Sequence, residues 1–128
     1  MTIAALLKAG LAANSGVSTL VGTRIYPVVF TNNNPTLPAI TFQRISSSGT
    51  NGSTALRESR YQINCWAGTH VAVSALAAAV KTWAEEFSDT TSTPGIKMCL
   101  VINENDDYDD QAKIYRIIVD VMLTTTGD

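Results

Sequence analysis

The densest chemistry in the chain is the run Glu104-Asn105-Asp106-Asp107-Tyr108-Asp109-Asp110, which holds five of the eleven acidic residues in seven positions. Grouped carboxylates can bind a divalent cation, do acid-base work, or hold a turn in water. For a calcium loop starting at Asn103, the residues Asn103, Asn105, Asp107 and Asp109 fall on the alternate ligand positions. The sixth position is then Tyr108, where the sharp turn needs glycine, and the twelfth is Ile114, where a bidentate glutamate belongs. Frames starting at Asn105 or Asp107 fail at the same two places, so at most weak cation binding is left and no metal site is expected. Paired catalytic carboxylates need unequal, partly buried surroundings. A run whose one apolar side chain is Tyr108 is more easily solvated than buried. Lying between apolar runs that end at Ile102 and begin at Ile114, it reads as a solvated hairpin loop.

Nucleophilic catalysis fares no better. The single histidine, His70, stands at the start of a helical pattern, where a surface or capping role suits it. Cys65 lies five residues away but on a strand pattern, so the two need not face each other. Cys65 and Cys99 each sit inside apolar strand-like runs, outside any C-x-x-C spacing, and read as buried free thiols. There is no G-x-x-x-x-G-K-[ST], and no G-x-G-x-x-G after a strand, so nucleotide use is not expected. The tripeptide Asn51-Gly52-Ser53 matches a glycosylation sequon but follows no recognisable secretion signal. No catalytic residue and no cofactor is expected.

The elements that carry these residues come from hydrophobic period. Ile3, Leu6, Leu7 and Leu11 recur at helical spacing behind Thr2, a plausible cap, with stop signals from Asn14 to Gly16. Pro27 demotes the segment that follows to an edge or extended stretch. Ile40 and Phe42 alternate with Thr41 and Gln43, and Tyr61, Ile63 and Cys65 share one face opposite Arg60, Gln62, Asn64 and Trp66. Val73, Leu76, Val80, Trp83 and Phe87 lay an apolar stripe along a helix of about 18 residues capped by Thr69. Ala72, Ala75 and Ala79 flank that stripe with small residues. Two further strand-like runs close the chain. In the last, Tyr115, Ile117, Val119, Val121 and Leu123 face one way while Ile114, Ile118 and Met122 share the other face with Arg116 and Asp120. A strand this apolar on both faces must be central or covered by another chain.

At 128 residues, with 45% hydrophobic and 16% charged side chains, the chain is the size of one folding domain. The expected fold is α+β: a two-layer, mainly antiparallel sheet of about four strands with an N-terminal helix and one long amphipathic helix packed on it. Flexible loops are expected at about 31–38 and 47–56. The second is rich in Gly, Ser, Thr and Asn, so Ser47, Ser48, Gly49, Thr50, Asn51, Gly52 and Ser53 read as a mobile loop or an assembly arm that orders against a partner. No apolar run reaches the length of a bilayer span, and no targeting segment is evident, so no membrane is expected. Residues 1–84 hold six basic residues and one acidic, and residues 85–128 three basic and ten acidic. That polarity can guide oligomer or partner docking. With a net charge of −2 there is no general drive toward nucleic acid.

The phrases "LVGTRIYPVV", "LPAITFQRISS", "RYQINCWAG", "AVSALAAAVKTWAEEF" and "DDYDDQAKIYRIIVDVML" together resemble the tail-completion proteins of long-tailed bacteriophages and prophages, also called tail terminators or tail-to-head joining proteins. The resemblance runs from about Leu6 to Leu123. It implies a non-enzymatic structural protein of the virion tail, at the head-tail interface, present in the host cytoplasm during assembly. It implies a homo-oligomeric ring, usually a hexamer, that caps the tail tube and meets a head-tail connector or stopper protein. The partners implied are the major tail tube protein and that connector, with DNA passing through the channel without sequence-specific binding. Glu104, Asp106, Asp107, Asp109 and Asp110 would then face the lumen or dock a basic partner surface. Alternatives from the residues alone are a monomeric small-ligand or regulatory α+β module, a metal-dependent enzyme using the acidic run, or a minor tail tube component.

Overall fold

The protein is described by a computed structural model covering residues 2–30, 36–49, 56–91 and 94–126. The chain opens with helix α1, Ile3–Ala13, and the hydroxyl of Thr2 caps it by accepting from the Ala5 amide at 3.1 Å. Ile3, Leu6, Leu7 and Leu11 are buried, as their spacing demands. The helix does not give way to an extended segment. Asn14 ends it, and its side-chain oxygen then accepts from the Val17 amide to start a second helix, α2, Ser15–Val21, bent 86° from the first. The stop signal at Asn14 to Gly16 is therefore also a start signal, because the residue whose backbone amide closes α1 on Leu11 also offers a side-chain oxygen to the first amides of α2.

Strand β1, Ile25–Pro27, pairs in parallel with β2, Ala39–Gly49. β2 pairs antiparallel with β3, Leu56–Ala67. The long helix α3, His70–Glu86, follows, capped by the Thr69 hydroxyl on the Ala72 amide. Strands β4, Gly95–Asp109, and β5, Ile114–Thr126, complete the sheet, whose order is β1-β2-β3-β5-β4. The fold is α+β, but the sheet is mixed and five-stranded where four antiparallel strands were expected, and three helices pack on it. Pro27 does lie in an edge strand, and its three-residue length fits a residue that cannot donate to a ladder. The apolar strand β5 lies between β3 and β4, so its place is interior to the sheet.

Tyr61, Ile63 and Cys65 of β3, with Ile117, Val119, Val121 and Leu123 of β5, face the helices and join Val73, Leu76, Val80 and Trp83 of α3 in one buried cluster. Each such side chain withdrawn from water contributes about 1.5–3 kcal/mol. No single helix among the described residues is long and apolar enough to cross a membrane. Two loop expectations change. Ser47, Ser48 and Gly49 belong to β2, paired with Ser59, Glu58 and Arg57, while Thr50, Asn51, Gly52 and Ser53 lie outside the described residues. The acidic run is no loop either: β4 continues through Glu104, Asp106 and Asp107 to Asp109, which pairs with Ile114.

Candidate functional site

The acidic run earns its place in a strand from its partner. Asn and Asp are poor strand formers in isolation, but opposite them β5 presents Ile114, Tyr115, Ile117, Ile118 and Val119, a run of β-branched and aromatic side chains. Strand geometry then sorts the carboxylates by parity. Glu104 and Asp106 sit opposite Val119 and Ile117, on the helix face, while Asp107 and Asp109 sit opposite Arg116 and Ile114, on the other. A bulge between Val101 and Asn103 sets this phase.

Each face supplies its own counter-groups. Lys81 of α3 places Nζ 2.7 Å from Glu104 Oε2, and His70 at the start of α3 brings Nε2 to 4.0 Å from Asp106 Oδ2. His70 also stands edge-on to Tyr115, with ring centres 5.9 Å apart, and Tyr108 tilts against the same tyrosine at 4.7 Å. His70, Asp106, Tyr108 and Tyr115 border a cleft of about 380 Å³. On the opposite face Arg116 donates to Asp107 and lies over the Trp66 ring, 5.1 Å from its centre. The Arg116 hydrogen bond, with that from the Tyr108 amide, holds the Asp107 carboxyl below its usual range. Asp109 closes the hairpin: its Oδ1 accepts from the amides of Gln111 and Ala112, while Lys113 sits in the left-handed region at φ 57°. Asp110 lies in the turn and is exposed.

The side chains that temper the acids, Lys81, His70 and Arg116, were not tied to them by sequence. Arg116 had a signal, its place on the second face of β5, but its cross-strand partner depends on β4 being a strand. The lysine and histidine meet the acids only through the packing of α3. Neither thiol is poised as a nucleophile. Burial pushes the Cys99 thiol up to about 12, and burial, helped by the charge of Glu104, pushes Cys65 higher still. Among the described residues no three of His, Cys, Asp or Glu converge in a way that would hold a metal ion.

Of the second predicted region, Ser47 accepts from the hydroxyl of Ser59 at 3.1 Å and from Arg57 Nε at 3.3 Å, so the base of the arm is tied into β3. Elsewhere on the non-helical face Trp66 Nε1 and Asn64 Nδ2 both donate to Thr41 Oγ1, with Phe30 edge-on to Trp66. Asp120 is 4% exposed on that face and takes Arg60 at 2.9 Å.

The class defined by these features is a small α+β module whose ordered charge lies along the edge of a sheet. The chain belongs to the family of tail completion protein gp17, whose family model matches residues 4–126. Among solved structures it is similar to a chain from the virion of a native gene transfer agent particle, with a TM-score of 0.79 and 18% identity over 98% of each chain. That likeness establishes the fold. No curated protein matches the chain.

Proposed function

We propose that this protein caps the phage tail tube as a ring, non-enzymatically, and forms the surface to which the head connector or stopper joins. The observation that carries the reading is that a tail-completion family model occupies nearly the whole chain, leaving no room for a second function-bearing domain within residues 4–126. A neighbour of the same fold comes from a phage-like virion particle, which agrees with a place in the virion tail. The partners are the major tail tube protein on one side and the connector on the other, with DNA passing through the channel unread. In that setting the acidic half of β4 forms a charged lining or a dock for a basic partner. A lumen of fixed negative charge repels the phosphate backbone and lets DNA pass without sticking. Beyond Ser47, Ser48 and Gly49, which are paired in β2, the arm continues through Thr50, Asn51, Gly52 and Ser53 and orders against a neighbour during assembly.

The test is genetic and microscopic. Removing the gene from its phage or prophage is expected to leave filled heads and unjoined tails, with joining restored by the protein supplied in trans. Fully joined, infectious particles in its absence would overturn the proposal.

A further inference from the structure

The two outer edges of the sheet differ in a way that suits each to the other. β4 forms one edge, and beyond it, among the described residues, only Asp89 pairs, bridging Ile96 near its start. Its first half carries a single charge, Lys97, and exposes Met98, Leu100 and Ile102, with Leu100 57% exposed. Long apolar edges with so little charge invite pairing, and proteins that must stay single avoid them. Its second half carries Glu104, Asp106, Asp107 and Asp109.

At the opposite edge β1 covers only Ile40 to Phe42 of β2, so from Gln43 to Gly49 no described strand lies beyond β2. This edge also exposes apolar side chains: Val28, Val29, and Ile45 at the β2 bulge, the last 42% exposed. Val28 is held at φ 66°, a costly conformation for a β-branched residue, with its side chain in solvent. Beside it a recess of about 360 Å³ opens between Pro27, Val28, Phe42, Arg44 and Tyr61. The charge on this side of the sheet is reversed: Arg24 leads into β1 and Arg44 lies on β2, with Arg57 and Arg60 one strand further in, on β3, where Arg60 is paired with Asp120.

We infer that subunits meet head to tail, the β4 edge of one copy of this chain seating against the β1–β2 edge of the next. This rests on the ring-forming reading above. Apolar side chains then meet apolar side chains, and the acidic half of β4, in the docking rather than the lining role, meets the basic side of the next copy's sheet. A two-fold dimer through β4 would run the strands antiparallel and set four carboxylates of each copy against an apolar half that carries only Lys97, which disfavours it. A contact between unlike surfaces closes into a ring when its rotation allows.

The substitutions Leu100→Arg and Ile45→Asp test this on the full chain, since both side chains are exposed and circular dichroism can check that the fold is kept. Sedimentation of the unaltered protein over a rising concentration series comes first. If it stays monomeric throughout, both the ring-forming reading and this assignment of its edges are overturned. If it assembles, each single variant is expected to weaken association at least tenfold, and an equal mixture of the two to recover it, because one kind of junction is then unaltered and the other pairs arginine with aspartate. Assembly of both variants as readily as the unaltered chain overturns the edge assignment and leaves the ring intact. Loss in Leu100→Arg alone points to a symmetric β4 contact, and a mixture that stays apart removes the head-to-tail geometry; either result overturns the inference.

Discussion

Cys99 shows how a residue with no catalytic part still reports on the fold. Its thiol is pushed from 9.0 to about 12 by burial, so the native state keeps its proton where the unfolded chain loses it. The contribution is complete below pH 9 and is lost as pH rises from there toward 12, at up to about 1.4 kcal/mol per pH unit. Urea unfolding at pH 8 and pH 10 is expected to show a smaller loss of stability for Cys99→Val than for the unaltered chain. An identical pH dependence would mean that the thiol is not shielded. The carboxylates behave in the opposite sense: Asp107, with its carboxyl lowered by Arg116, favours the fold above the ordinary carboxylate range and stops doing so as pH falls through its own lowered value. Because it is an exposed pair, this changes hairpin order more than overall stability.

At the scale of elements the point of tension is where α1 meets Phe87, the residue that caps α3. A Cβ placed on Gly10 would lie 2.3 Å from the Phe87 ring, which stacks on Trp83 with centres 4.7 Å apart. Gly10→Ala gains up to about 1 kcal/mol of helix propensity but drives Phe87 off its stack, at a cost of about 1–3 kcal/mol for overpacking. A net loss of stability is expected, turning into a gain in the Phe87→Ala background, where the ring is absent. Equal effects in both backgrounds, measured by urea unfolding, would remove Phe87 from the account. Nothing in the sequence announces this contact, since it joins residues 77 positions apart on two helices. What sequence did reveal was local: the α3 stripe, the Thr2 and Thr69 caps, and the edge character of Pro27. It failed where one signal has two meanings, as at Asn14, and where a partner overrides propensity, as along β4. The α+β class was legible, but the parallel β1–β2 pair was not, because pairing direction depends on how α2 returns the chain to the sheet.

For the whole molecule, the charge asymmetry seen along the sequence survives as asymmetry across the sheet, with arginines toward β2 and carboxylates along β4. Replacing Glu104, Asp106, Asp107, Asp109 and Asp110 by their amides is expected to preserve the circular dichroism spectrum, because every one of these side chains lies outside the core. Head-tail joining or DNA release in complementation is expected to change, and normal particles carrying the five amides would sink both the lining and the docking role. The bulge between Val101 and Asn103 has a further consequence. A solvated loop tolerates gain or loss of a residue, but a strand has parity. Deleting Asn103 would bring Asn105 and Asp107 to the positions of Glu104 and Asp106, so that Lys81 meets an amide in place of its carboxylate. The acidic segment is therefore constrained in length to the residue, as well as in charge.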